Sequence, residues 1–186
     1  AGRCGRRFAA RGQGHSTFGR SQVRGGIVAD MSRLRSIGPV RGDRVVVEAG
    51  AKWSELLART LARGKTPPVL TDDLELSVGG TLAVGGVGGT SMSLGVQTDH
   101  VLQLEVVTGD GELVTCSATR NADLFDAVRA GLGQVALIVR ATLGLVALSH
   151  AAESAVTLSG VASPGLARFD AAFDGFARPR TPQLAR

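Results

Sequence analysis

The sequence predicts an α+β fold, and three features of the chain support this prediction. Short apolar runs typical of strands are separated by glycine-rich turns along most of the chain. Two other segments carry apolar residues at the i, i+3, i+4 spacing of a helix. A dinucleotide-binding fingerprint requires a strand, then glycines, then a helix, whereas the glycines of residues 131–136 follow a predicted helix and precede a predicted strand. Residues 131–136 are therefore not predicted to form a dinucleotide-binding site.

Strands are predicted throughout the chain. The segments with the required apolar or β-branched pattern are residues 8–10, 27–31, 45–47, 101–108, 113–116 and 135–148. Gly109, Asp110 and Gly111 predict a hairpin turn between residues 101–108 and 113–116. Residues 71–90 are dense in glycine and are expected to be irregular.

Two helices are predicted between these strands. Trp53, Leu56 and Leu57 mark the apolar face of the first helix, and Trp53 is expected to be a core anchor. The second helix is predicted to begin after Asn121 as its N-cap and to end near Gly131. An apolar stripe of phenylalanines after Pro164 predicts a further helix that needs a partner surface, so it is expected to begin another domain.

Composition excludes several classes of protein. No run of 18 apolar residues is present, so no membrane span is predicted. Neither the two cysteines nor the three histidines have metal-ligand spacing, and no metal site is predicted. The absence of a secretory signal favours a soluble, cytoplasmic protein over a secreted one. The net charge is +5, and arginines are concentrated in the first quarter of the chain, so a nucleic-acid-binding surface is an alternative. However, only 4% of the residues are aromatic and no known nucleic-acid-binding module is present. No nucleic-acid partner is therefore expected.

The glycine-rich turn of residues 11–19 is the first candidate site. Its glycines surround His15 and Ser16 directly after a predicted strand. Glycine lets the backbone approach a ligand closely, and successive N–H groups in such a turn form an anion-binding concavity. A tight surface loop with an incidental histidine is the alternative interpretation.

A second glycine-rich segment covers residues 79–90. It lacks the lysine of a phosphate-binding P-loop. Its small side chains would let the backbone wrap a phosphate or a flat ring, with the hydroxyls of Ser77 and Thr81 as donors. Alternatively, the glycines only form tight turns between short strands.

In their order along the chain, these motifs resemble the flavin domain of cytokinin dehydrogenase-like FAD-linked oxidases of the vanillyl-alcohol oxidase superfamily. The stretches that carry the resemblance are residues 11–16, 25–32, 47–53, 71–72, 77–82, 107–112 and 131–134. The resemblance covers residues 8–148. It implies an FAD-binding PCMH-type domain of two α/β subdomains in residues 1–148, incomplete at the N-terminus. Residues 149–186 would then be a linker and the first helix of a truncated substrate-binding domain.

The resemblance also implies a set of site residues. His15 would form a covalent bond to the 8α-methyl carbon of the flavin. Other positions matching FAD contacts are Gly12, Gln13, Gly14, Ser16, Arg20, Asp72, Ser77, Ala83, Val87 and Ile138. Asp72 would also take a proton from the substrate amine. The neighbouring Asp73 stands where the family commonly has an aromatic residue.

The implied function is oxidation of a C–N bond in a cytokinin-like secondary amine, with hydride transfer to flavin N5. The partner would be a small-molecule substrate. Two alternatives remain: a sugar or alcohol oxidase of the same superfamily, and a non-catalytic flavin-binding fragment. The fragment by itself is expected to be inactive, and oligomeric state is not predicted.

Overall fold

The computed structural model describes residues 5–148, which form the predicted α+β fold. The strands are β1 (Phe8–Arg11), β2 (Ile27–Asp30), β3 (Arg44–Glu48), β4 (Lys65–Thr66), β5 (Val101–Thr108), β6 (Leu113–Ser117), β7 (Ala136–Gly144) and β8 (Val146–Ala147). The α-helices are α1 (Trp53–Leu61), α2 (Val78–Leu82), α3 (Ser91–Leu94) and α4 (Ala122–Val128). The predicted phenylalanine-rich helix after Pro164 lies outside the described residues. Within the described residues, no helix has the length and apolar character needed to cross a membrane.

A four-stranded antiparallel sheet in the order β3-β7-β5-β6 holds much of the core. Val45 and Val47 of β3 are buried and Val46 between them is exposed, as strand geometry requires. A register shift between Val101 and Gln103 leaves Leu102 exposed in β5. The predicted hairpin between β5 and β6 is confirmed.

A separate two-stranded sheet pairs β1 and β2 in parallel, with Phe8 opposite Ile27 and Arg11 opposite Asp30. Parallel strands cannot be joined by a tight hairpin, so the chain needs a long crossover between them. That crossover contains the glycine-rich turn. The turn therefore leaves the carboxyl end of β1, the edge at which open α/β sheets commonly bind ligands.

Helix α1 is anchored through Trp53, and its predicted core role is confirmed. Trp53 is 1% exposed, and its Nε1 donates a hydrogen bond of 2.8 Å to Thr81 Oγ1 in α2. The Thr81 hydroxyl in turn donates to the carbonyl of Val78 at 3.1 Å. Because both of these bonds are internal and Thr81 is buried, its hydroxyl serves the core rather than a ligand.

Helix α2 lies inside the segment that was expected to be irregular. Gly79 and Gly80 occupy its interior, where each costs about 1 kcal/mol relative to alanine. Packing overrides that local preference, because Val78 and Leu82 are fully buried one turn apart. A Cβ at Gly79 would lie 2.6 Å from the Cβ of Ala49, so the absence of a side chain permits this close approach.

Two other sequence predictions require correction. Asn121 is the N-cap of α4, but its φ is +49° and its side chain makes no cap hydrogen bond. Its Nδ2 instead donates to the carbonyl of Thr115 at 2.8 Å, which joins the helix start to β6. The strand predicted over 135–148 is divided at Leu145, whose N–H donates to the carbonyl of Asp43.

Gly88 and Gly89 offer a matched test of the close packing after α2. A Cβ at Gly88 would collide with the carbonyl oxygen of Leu70, whereas a Cβ at Gly89 meets nothing within 4 Å. Gly88→Ala is therefore expected to lower the free energy of unfolding by about 1–3 kcal/mol, because the backbone must move. Gly89→Ala should stay within about 0.5 kcal/mol of the parent protein. Urea denaturation of both variants measures the contrast, and equal stabilities would contradict the packing.

Candidate functional site

The glycine-rich turn packs against the start of α2. A Cβ at Gly12 would overlap Ser77 Oγ, and a Cβ at Gly80 would lie 2.8 Å from the same oxygen. Ser77 is 3% exposed and is the N-cap residue of α2. Two glycines from distant parts of the chain thus leave room for one hydroxyl. The structure therefore brings together Gly12 and Ser77, two of the residues predicted for the site.

His15 lies at the exposed side of this junction, close to Asp73. Its Nδ1 is 3.7 Å from Asp73 Oδ2, and the side chains are 55% and 46% exposed, respectively. Asp73 Oδ1 accepts a hydrogen bond of 2.8 Å from the N–H of Glu75. The hydroxyl of Thr71 donates to the carbonyl of Asp73 at 3.0 Å. Asp72 is exposed in the same short loop, so the structure places this predicted proton acceptor next to the partner of His15.

Charged groups border the loop of residues 71–75. Lys52 Nζ lies 2.7 Å from Glu75 Oε2. This hydrogen bond, followed by the Coulomb attraction of Glu75, raises the pKa of Lys52 above its usual value. The hydrogen bonds of Glu75 with Lys52 and then with Ser54 lower the pKa of Glu75. Glu75 is thus already paired, whereas Asp73 lies near His15 and Asp72 is exposed in the same loop.

Arg11 adds a positive charge on the other side of the turn. A Cβ at Gly14 would lie 3.1 Å from Arg11 Nη2, so the guanidinium folds back over the turn. Gly14 itself has φ +81°, a conformation that favours glycine. Asp30 lies opposite Arg11 in the parallel sheet. The pKa of Asp30 is lowered, first by the backbone N–H of Ser32 and to a smaller extent by Arg11.

The other end of α2 meets a strained loop that follows α4. The N–H of Leu132 donates to the carbonyl of Ala83 at 2.8 Å. Ala130 and Leu132 have φ values of +54° and +55°, which are uncommon for residues with a side chain. Leu132, Val84 and Val87 are 55%, 60% and 69% exposed. This end of the candidate site therefore presents apolar side chains next to glycine-rich backbone.

The remaining predicted site residues lie in the glycine-rich turn, directly after it, and in β7. Gln13 is half-buried in the turn, and Ser16 and Arg20 are exposed. The guanidinium of Arg20 lies 6.0 Å from the ring centroid of Phe18, itself 92% exposed. Ile138 is 5% exposed in β7, so the structure does not bring its side chain to the surface with the others.

Two residues of this region were not assigned a role from sequence. Asp73 was noted only as a departure from the family pattern, and Arg11 only as part of the turn. Nothing in the local sequence indicated that Asp73 would face His15, because the two residues are far apart in the chain and tertiary packing brings them together.

The chain is similar to known proteins. The family model of the FAD binding domain matches residues 1–117. An uncharacterized oxidoreductase of the fasciation locus of Rhodococcoides fascians is 54% identical over 140 residues, covering 75% of this chain and 32% of that protein. Cytokinin dehydrogenase 7 of Oryza sativa subsp. japonica is 45% identical over 148 residues, covering 74% of this chain and 28% of that protein.

A solved structure is also similar. The crystal structure of 6-hydroxy-D-nicotine oxidase from Arthrobacter nicotinovorans superimposes with a TM-score of 0.73 at 26% identity. The match covers 79% of this chain and 32% of that one. The chain thus spans about a third of the length of the relatives it matches, and the resemblance to a flavin-binding domain of FAD-linked oxidases is confirmed.

Proposed function

Because the chain belongs to the FAD-binding domain family, we propose that the protein containing it is an FAD-dependent oxidoreductase whose cofactor is bonded covalently to His15. One observation carries this proposal: the glycine-rich turn rests on Ser77 of α2 and presents His15 beside the loop of Asp72 and Asp73. The turn, α2 and the loop of residues 129–134 are the elements proposed to hold FAD.

The residues of the site suit such a cofactor. The absence of a side chain at Gly12 lets the turn pack directly on Ser77 at the start of α2, which holds the exposed backbone of the turn in place. Val84, Val87 and Leu132 expose apolar surface that a flat aromatic ring would cover. Arg11 supplies a positive charge near the turn for an anionic group. The polar and apolar parts of FAD would thus each meet matching groups.

Bound FAD would supply a two-electron acceptor, the part of the chemistry that no side chain provides. The protein would have to orient the substrate and remove a proton. Asp72 is an exposed carboxylate in the site loop, and we assign it to that proton transfer. His15 would prevent cofactor loss through its bond to the 8α-methyl carbon.

We favour a secondary amine as the substrate class. This choice follows the names of two relatives, cytokinin dehydrogenase and 6-hydroxy-D-nicotine oxidase. In such a substrate, the C–N bond would be oxidised to an imine, which water would later hydrolyse. Residues 149–186, assigned to the start of a substrate domain, lie outside the described part of the chain.

Covalent attachment is tested by denaturing the protein in its full length and precipitating it. We expect the yellow colour to stay with the polypeptide and the mass of the His15 peptide to increase by that of the flavin. Colour released into the supernatant would retain a flavoprotein and contradict the covalent role of His15. A colourless protein that does not take up added FAD would contradict the proposed function and favour a non-catalytic fragment.

The substrate class is tested by anaerobic reduction of the bound flavin. We expect isopentenyladenine to bleach the flavin absorbance, whereas a panel of sugars should leave it unchanged. Bleaching by sugars alone would overturn the amine assignment and identify a C–OH oxidase.

A further inference from the structure

We propose that Asp73 is a positioning residue for His15. Asp73 would orient the imidazole of His15 and accept its proton while the histidine becomes attached to the flavin. This inference rests on the proposed covalent bond at His15. It assigns a separate role to the carboxylate that adjoins the proposed proton acceptor Asp72.

The loop fixes one oxygen of Asp73 and leaves the other facing His15. Oδ1 accepts the N–H of Glu75 at 2.8 Å, and the Asp73 carbonyl accepts the Thr71 hydroxyl at 3.0 Å. An aspartate held by such an Asx turn has little freedom to rotate. Oδ2 therefore remains 3.7 Å from His15 Nδ1, within ion-pair distance though longer than a hydrogen bond.

The contact distinguishes the two adjacent aspartates. In the described part of the chain, Asp72 makes no comparable contact with His15, although it is exposed in the same loop. Asp73 is thus available to the histidine while Asp72 is available to a substrate. The two carboxylates can serve separate steps because only one of them is held by the turn.

A carboxylate in this position has a defined chemical use. When a neutral imidazole nitrogen bonds to carbon, the ring becomes positively charged until its remaining N–H proton leaves. Asp73 would stabilise that charge and take the proton before passing it to water. In the overall change, one imidazole N–H and one methyl C–H bond break and one N–C bond forms. The two electrons and two protons released in this change would reduce dioxygen to hydrogen peroxide.

Asp73→Asn separates this role from the architecture of the loop. The amide oxygen of asparagine can still accept the N–H of Glu75, so the turn is retained. Its NH₂ group would then face His15 and offer a donor in place of a negative charge. Asp110→Asn is the matched control, because Asp110 is an exposed turn aspartate of the β5–β6 hairpin.

The experiment uses the full-length protein, prepared without flavin and then supplied with FAD in air. Covalent incorporation is followed by the fluorescence of acid-precipitated polypeptide and by the mass of the His15 peptide. We expect Asp73→Asn to slow incorporation about tenfold, less than a buried general base would because this pair is half-exposed. Asp110→Asn should incorporate flavin at the parent rate.

Reversible FAD affinity, measured in a His15→Ala background, provides the readout that distinguishes positioning from a structural effect. We expect Asp73→Asn to leave this affinity unchanged. A fall in FAD affinity as large as the fall in the rate of covalent incorporation would overturn the positioning role. Incorporation of flavin by Asp73→Asn at the rate of the parent protein would also overturn it. If the parent protein itself incorporates no flavin covalently, the proposed attachment at His15 fails, which is a different outcome.

Discussion

Replacing Asp72 with asparagine is expected to slow reduction of the bound flavin by substrate at least about 100-fold, the lower end of what a positioned general base contributes. Asparagine has nearly the same shape and keeps one acceptor oxygen, but it cannot take a proton at neutral pH. Because Asp72 is exposed in a surface loop, its loss should not disturb the core. Anaerobic stopped-flow reduction with isopentenyladenine measures the effect directly.

The control for this prediction is Asp110→Asn, which removes an exposed carboxylate from the hairpin turn between β5 and β6. It should reduce at the parent rate. Asp72→Asn should also retain covalently bound flavin, since His15 and its partner Asp73 are unchanged. A variant that keeps its flavin and reduces at the parent rate would show that another group removes the proton.

The fold was predictable where local pattern and tertiary packing agree. Helix α1 follows directly from its apolar spacing, and the β5–β6 hairpin from its glycine-containing turn. Helix α2 was missed because its glycines disfavour a helix locally. The helix is stabilised by the burial of Val78 and Leu82. Gly79 permits the close approach of α2 to Ala49, which follows β3. No local pattern in the sequence reports such a contact.

The candidate site also combines features that follow from the local sequence with features that depend on tertiary packing. The turn around His15 was identifiable because three nearby glycines and a histidine form a recognisable local motif. Thr81 was predicted as a ligand donor, but the structure uses its hydroxyl to bind Trp53, a pairing across 28 positions. The pairing of Asp73 with His15 likewise depends on a long-range contact. The candidate residues could be proposed from the sequence, whereas their contacts could be found only from the fold.

The contact between Trp53 and Thr81 leads to the largest expected effect on stability. Trp53→Ala should lower the free energy of unfolding by about 3–5 kcal/mol, because a fully buried indole leaves a cavity among the core residues of α1 and α2. Met92→Ala is the control, since Met92 is 98% exposed and its truncation should change stability by less than about 0.5 kcal/mol. Urea denaturation of the flavin-free protein, followed by circular dichroism, measures both variants.

Trp53→Phe tests whether this core contact also supports the site. Phenylalanine fills most of the volume but cannot donate to Thr81, so α2 loses one of its attachments to α1. Ser77 begins α2 and meets Gly12 of the turn, so a displaced helix would alter the surface that faces FAD. We therefore expect weaker reversible FAD binding in Trp53→Phe, measured in a His15→Ala background. Thr81→Val, which leaves the indole N–H without its acceptor, should weaken FAD binding in the same direction. Unchanged FAD affinity in both variants would show that the core and the site are energetically independent, and that the other contacts of α2 hold it in place without this hydrogen bond.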